Sequence, residues 1–312
     1  MGDVMIGRLV NQKITEEGYD YPWGNVLPYL KKPGVNIINL EAALTSSVKK
    51  VTKVFNFKAD PDNVKTLTEA HIHVASIANN HILDFSEEGL LETIKMLEIA
   101  KIKYTGAGKN STEARKTAVV ECNGIKIGVI GCTDNESGWK SDVHPGTNYV
   151  EVGDITELKK DIESIRGKVE ILILSAHFGP NMVERPDRDK IEFNHQLIDL
   201  GVDIIHGHSA HIFQGIEIYK GKLILYDTGD FIDDYQVDPE LRNDRSFLFE
   251  IHITDKKIIG IKLLPVLIER MQVNFAKPEV IKWWIARMQY LSGDFGTKIK
   301  ETGEVEGFPD FS

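Results

Sequence analysis

The chain changes its strand grammar once along its length, and that change limits the folds open to it. Up to about residue 215, short apolar runs alternate with segments of helical spacing. Val35–Leu40 (VNIINL) reads as a buried strand and His71–Ala78 as another, the latter after a short helix that follows Pro61. Ser86–Ala100 has helical spacing, with Ser86 as the expected N-cap and Glu87 and Glu88 favourably placed in the first turn. Ala118–Cys122 and Ile125–Ile130 flank Asn123-Gly124, a strong hairpin signal. Ile155–Arg166 reads as a helix, Val169–Ala176 as a strand, Asp189–Leu200 as a helix and Val202–Ile205 as a strand. Then come Gly215–Tyr219, Lys222–Tyr226, Ser246–Ile253, Lys257–Leu264 and Leu267–Asn274, strands joined by tight turns. Parallel βα units followed by antiparallel strands do not fit one sheet. Two sheets packed face to face with helices outside use every element, which makes this an α/β chain. Residues 1–275 form the expected domain, and 276–312 an appendage. The appendage is an amphipathic helix, Pro278–Leu291, whose Trp283 and Trp284 pack on the sandwich, and a polar tail to Ser312 expected to be mobile.

Composition removes several classes of function. The chain has 37 Lys+Arg against 47 Asp+Glu, a formal charge of −10, and no basic stripe, so nucleic acid is not an expected partner. No apolar run reaches the ~20 residues of a membrane span, and the first residues lack the regions of a signal peptide. Cys122 and Cys132 are too few for a disulfide framework or an all-thiolate metal site. The chain therefore reads as cytoplasmic, with both thiols buried as small hydrophobes.

Chemistry gathers where strands end. Asp3 lies in the first apolar segment; VNIINL runs into Glu41, and HVASIA into Asn79-Asn80-His81 with Asp84 just beyond. VEILILSA ends at His177, VDII at His206-Gly207-His208-Ser209-Ala210-His211, and KLILYDTG at Asp230. Sites in α/β proteins form at the C-terminal ends of strands, where loops from separate elements meet. The donors are imidazoles, carboxylates and an amide, a mixture suited to Zn, Mn, Fe or Co. Their number exceeds the four donors of a closed structural zinc, which favours an open or two-metal site. Glu41 is the expected bridge between two cations. Arg8 and Arg185 read either as clamps for an anionic substrate or as surface ion pairs. His71, His73, His144, His195 and His252 read as structural or exposed, and the Gly106–Ser111 stretch as a turn, since it lacks P-loop spacing.

The ordered segments GDVMIGR, NLE, ANNHILD, GAGKNSTEA, SAHFG and GHSAHIFQGIEIYKGKLILYDTGDF resemble the CapA family of capsule and poly-γ-glutamate biosynthesis proteins, over about residues 1–275. That family is related to the calcineurin-like metallophosphoesterases, and the resemblance implies their four-layer αββα sandwich of two mixed sheets. It places Asp3, Glu41, Asn80, His177, His208 and His211 at a centre of one or two divalent transition metals (Zn, Mn or Fe). His81 becomes the candidate acid, oriented by Asp84, while His206 and Asp230 join Arg8 and Arg185 as candidate substrate contacts. Three places depart from the family pattern. Met5 stands where metallophosphoesterases have a histidine, and GHSAH and GDF replace the usual GHHPH and GNF. A full strand ordinarily precedes the first motif, but only Met1 and Gly2 do so here. The expectation is that the authentic start lies upstream, in a segment that could anchor or export the protein; if the chain begins at Met1, Asp3 is expected to hang on a mobile end. The implied activity is metal-dependent hydrolysis of a phosphoester or an amide or γ-glutamyl bond in a small-molecule, peptide or polyglutamate substrate. The rivals are a metal-dependent peptide Cα epimerase and a non-catalytic accessory protein of polyglutamate export working with a membrane-bound partner.

Overall fold

The computed structural model describes residues 1–308; Pro309–Ser312, the end of the expected tail, lie outside the described residues. Two sheets form the centre. The first is wholly parallel, in the order Asp230–Ile232, Asp3–Val4, Asn36–Leu40, Ile72–Ser76, Lys103–Thr105. The second is mixed and runs Ile216–Tyr219, Lys222–Leu225, Ile204–His208, Ile171–His177, Ile125–Thr133, Ala118–Cys122. Its four inner strands are parallel and its two edges antiparallel. Helices Arg8–Glu17, Val64–Glu69 and Ser86–Ile99 cover the outer face of the first sheet through Val10, Leu67, Leu90 and Leu97. Helices Thr156–Ile165 and Arg188–Asp199 cover the second through Leu158, Ile162, Phe193 and Leu197. Val74, Val129, Ile173 and Ile204 fill the space between the sheets. The architecture is the four-layer αββα sandwich, although only one of its sheets is mixed.

Local chemistry explains most element ends. Asn123 and Gly124 take φ of 51° and 76°, the paired positive values of a tight hairpin turn. Ser86, however, is not a cap. Its own φ is 63° and its hydroxyl donates to the Lys49 carbonyl at 2.7 Å, so the helix starts from a strained turn instead. The break expected between Leu264 and Leu267 falls instead at Arg270-Met271, with φ of 55° and 62°, so Lys257–Glu269 is one strand, the middle member of a three-stranded antiparallel sheet with Arg245–Thr254 and Gln272–Phe275. Pro265 sits where the pairing to the third strand runs out: its carbonyl still accepts Ala276 N at 2.8 Å, but the ladder itself begins at Val266↔Phe275, so the missing N–H falls at the end of that pairing.

The termini also differ from expectation. Asp3 does not hang free; Asp3 N donates to the Gly229 carbonyl at 3.0 Å, Met5 N to that of Ile232 at 2.8 Å, and the side chain is wholly buried. Beyond helix Ile281–Gly293, the segment to residue 308 is no loose tail. Ile299 and Val305 are buried beside Trp284 and Met288, and Val305 N donates to the Ile261 carbonyl at 3.1 Å. Among the described residues no helix is long and apolar enough to cross a membrane. Cys132 is buried and Cys122 half-buried, both free.

Candidate metal centre

Register brings the strand ends together. Asp3 lies opposite both Asn39 and Asp230 in the first sheet, and His177 opposite His208 in the second. Neighbours in register on parallel strands point to the same face, so these side chains converge at the C-terminal edge. Asp3 Oδ1 lies 3.7 Å from His208 Nδ1, and its Oδ2 lies 3.6 Å from His211 Nδ1. His177 Nδ1 and His208 Nδ1 are 2.9 Å apart, and His177 Nε2 is 3.2 Å from Asn80 Oδ1. Two clusters result, each with donor atoms within 4.8 Å of one another: Asp3, His177 and His208, and Asp3, His211 and Asp230. Asp3 is common to both. Glu41, expected as the bridge, sits alongside, with Oε1 3.8 Å from His81 Nε2 and 4.0 Å from His177 Nε2.

Polar groups behind the donors fix their orientation. Asn39 Nδ2 donates to Asp3 Oδ1 at 2.7 Å and to Glu41 Oε2 at 3.3 Å, and Asn79 Nδ2 donates in turn to Asn39 Oδ1 at 3.0 Å. Ser175 Oγ contacts His208 Nε2 at 2.9 Å and His206 Nδ1 at 3.0 Å, leaving His208 Nδ1 turned to the cluster. The loop that carries the last histidines holds strained backbone, with φ of 116° at Ser209 and 60° at His211. Glu41 Oε1, His211 Nε2 and Asp230 Oδ2 are buried without a hydrogen-bond partner. Such groups are costly unless something positive or protic meets them. A divalent cation fits that donor set.

Electrostatics point the same way. Burial, and then Asp227, push Asp3 up to about 8. Burial and Asp3 hold Glu41 well above the ordinary range, and burial and Asp233 do the same to Asp230. The imidazoles move oppositely: burial and His81 lower His211 to about 3, while burial and neighbouring histidines depress His177 and His208. Burial thus holds the carboxylates above and the imidazoles below their ordinary ranges, a combination that a bound cation would relieve.

His81 stands at the edge of this cluster. Its Nδ1 is 2.6 Å from Asp84 Oδ2, which also accepts Phe57 N at 2.7 Å, and Lys53 Nζ reaches Asp84 Oδ1 at 3.2 Å. Burial lowers the His81 pKa and Asp84 opposes the shift. The Phe57 ring packs edge-on at 4.4 Å, and the Arg8 guanidinium sits 4.7 Å above that ring. Arg8 is held by Asp234 at 3.1 Å and keeps one buried nitrogen, Nη1, unpartnered.

Of the other candidate substrate contacts, His206 and Arg185 lie away from the donor cluster and Asp230 lies within it. His206 is buried between the sheets, its Nε2 2.7 Å from the Met1 carbonyl oxygen, so it ties the two sheets together. Asp230 is wholly buried in the second cluster, its Oδ1 2.8 Å from His211 Nδ1. Arg185 pairs with Asp294 at 2.7 Å and lies over Tyr290, on the C-terminal helix side. Asn39, Ser175 and Lys53 were not among the expected residues. Asn39 and Ser175 had a signal, a polar residue near the C-terminal end of a mainly apolar strand; Lys53 had none.

Comparison with known proteins agrees with this architecture. The family described as bacterial capsule synthesis protein PGA_cap matches residues 1–235. A probable polyglutamine synthesis accessory protein of Mycobacterium tuberculosis is 31% identical over 96% of this chain and 83% of its own length. The capsule biosynthesis protein CapA of Bacillus anthracis is 27% identical over 89% of this chain and 68% of its own. A hypothetical protein of Thermus thermophilus shares the fold at TM-score 0.53 and 14% identity, over 85% of this chain and 96% of that one. A match covering three-quarters of the sequence, on a sandwich whose strand ends converge as described, places the chain in the PGA_cap family of bacterial capsule synthesis proteins.

Proposed function

We propose that this chain is a metal-dependent hydrolase serving capsule or polyglutamate synthesis, acting on a phosphoester or on an amide or γ-glutamyl bond. The observation that carries this reading is the His81–Asp84 pair beside a cluster of buried, unpartnered donors. Asp3, Glu41, Asn80, His177, His208 and His211 would hold one or two divalent cations, with Asp230 close by. Bound there, such a cation lowers the pKa of water toward neutrality and polarises the bond to be cleaved. The protein's own groups do the rest. Asp84 accepts the His81 Nδ1 proton, which fixes the tautomer and leaves Nε2 facing Glu41 and the centre. His81 Nε2 then takes a proton and returns it to the leaving group, while Asp84 stabilises the imidazolium that forms in between. Arg8 Nη1 offers an anionic substrate a donor beside the Phe57 ring. A membrane-bound synthesis partner would supply the polymer.

The accessory name of the mycobacterial relative favours a second reading, in which the centre is kept but nothing is turned over. Protein loaded with Zn2+ or Mn2+ and assayed on p-nitrophenyl phosphate, its diester and γ-glutamyl p-nitroanilide separates the two. Chelator-sensitive turnover supports the hydrolase; fully loaded protein that turns over none of them supports the accessory role.

Two further results are expected. A ligand that binds only the folded state stabilises by about 4 kcal/mol at a thousandfold excess over its Kd. Metal-loaded protein should therefore melt clearly above the chelated form in a calorimetric scan. Asp3, held near 8, carries a proton at pH 7 in metal-free protein, and binding must expel it. Calorimetric titration at pH 7 in two buffers of different ionisation heat should show net proton release, with affinity rising as pH approaches 8. Uptake without proton release would contradict it.

A further inference from the structure

The two clusters that share Asp3 differ in chemistry. One side presents His177 and His208, with the Asn80 amide 3.2 Å from His177. The other presents Asp3, Asp230 and a single imidazole, His211. Met5 adds nothing there, because its side chain is buried against Ala42 and Phe57. Asp230 is brought in by the sheet itself: it is the parallel partner of Asp3 in register, so both carboxylates leave adjacent strands on one face. Its Oδ1 lies 2.8 Å from His211 Nδ1, while its Oδ2 is buried with no hydrogen-bond partner. Asp233 lies against the same carboxyl, adding a like charge rather than a counter-ion.

Resting on the metal-centre reading above, we propose that Asp230 is a metal-binding residue. With Asp3 and His211 it forms an oxygen-rich half of the centre that takes a hard divalent cation of the Mn2+ type, distinct from the imidazole-rich half formed by His177, His208 and Asn80. Carboxylate donors suit Mg, Ca and Mn, whereas imidazoles suit Zn, Fe and Ni, so exchanging an imidazole for Asp230 shifts the preference of one half only. The centre is then built for two unlike cations.

The test uses the whole chain, stripped with chelator, given one equivalent of Zn2+ and titrated with Mn2+ under electron paramagnetic resonance. Wild type should take up one Mn2+ beside its zinc. Asp230→Asn should bind Mn2+ at least about tenfold more weakly and keep its zinc. Mn2+ binding indistinguishable from wild type would mean that Asp230 only orients His211 or shares a proton with Asp233, and would overturn the proposal. Loss of the zinc from Asp230→Asn overturns the division into halves. If that variant does not fold, electron-spin-echo spectra of Mn2+ in the wild type decide: coupling to one imidazole nitrogen is expected, and coupling to two or more refutes it. Wild-type protein that takes up neither cation removes the metal centre itself, a different failure from that of Asp230's place in it.

Discussion

Replacing His81 with alanine should lower turnover by roughly 10²–10⁴-fold, the range for a lost general acid–base, while leaving metal content nearly unchanged. The geometry separates these effects. His81 Nδ1 is engaged by Asp84 at 2.6 Å, and its Nε2 stands 3.8 Å from Glu41 Oε1 at the margin of the donor cluster. Removing the ring takes away a proton carrier without removing one of the clustered donors. Asp84→Asn should show a smaller loss, and a shift in the pH profile, because the ring keeps its place but loses the charge that stabilises its protonated form. Metal analysis by mass spectrometry alongside initial rates reads both quantities. If His81→Ala strips the metal, His81 is a ligand and the division of roles is wrong.

His208→Ala should lose metal and activity together. Its Nδ1 is 2.9 Å from His177 Nδ1 and 3.7 Å from Asp3 Oδ1, and the side chain is wholly buried. Removing a group that merely orients a ligand costs about 10–100-fold in metal affinity. Loss of the ligand itself should exceed that, and the space left at the C-terminal edge of the second sheet adds a packing penalty. Ser175→Ala gives the internal scale: it removes only the hydroxyl that holds His208 Nε2 at 2.9 Å, so its loss should fall within the range of about 10–100-fold. Competition with a chelating dye measures both variants. Equal affinities in His208→Ala and wild type would take His208 out of the centre.

Much of this was legible in the residues because strand ends carry both signals at once. The apolar run sets the strand, and the first polar residue after it marks the C-terminal edge, so Glu41 and His177 could be placed before their neighbours were known, while the same rule points to His206 rather than His208. The hairpin at Asn123-Gly124 was readable for a similar reason, since its conformation is dictated by two residues. What failed depended on contacts distant in sequence. Asp3 looked loosely held, yet its two-residue strand is clamped between Asn36–Leu40 and Asp230–Ile232. Lys257–Leu264 and Leu267–Asn274 read as separate strands, and only the pairing shows one strand continuing to Glu269. Asp230 and His206 sat next to motif positions, but the direction of a side chain depends on register, which a single sequence does not state.

The donors run from Asp3 to Asp230, and the first sheet draws its strands from both ends of that span. During synthesis, then, no nascent chain that stops short of Asp230 holds the complete pocket. Asp3 leaves the ribosome long before Asp230, and its strand gains its second neighbour only after residue 232 has followed. On the proposed reading, cation capture would thus be a late event for this protein, and a truncated translation product would present isolated histidines and carboxylates with only ordinary, weak affinity for metal.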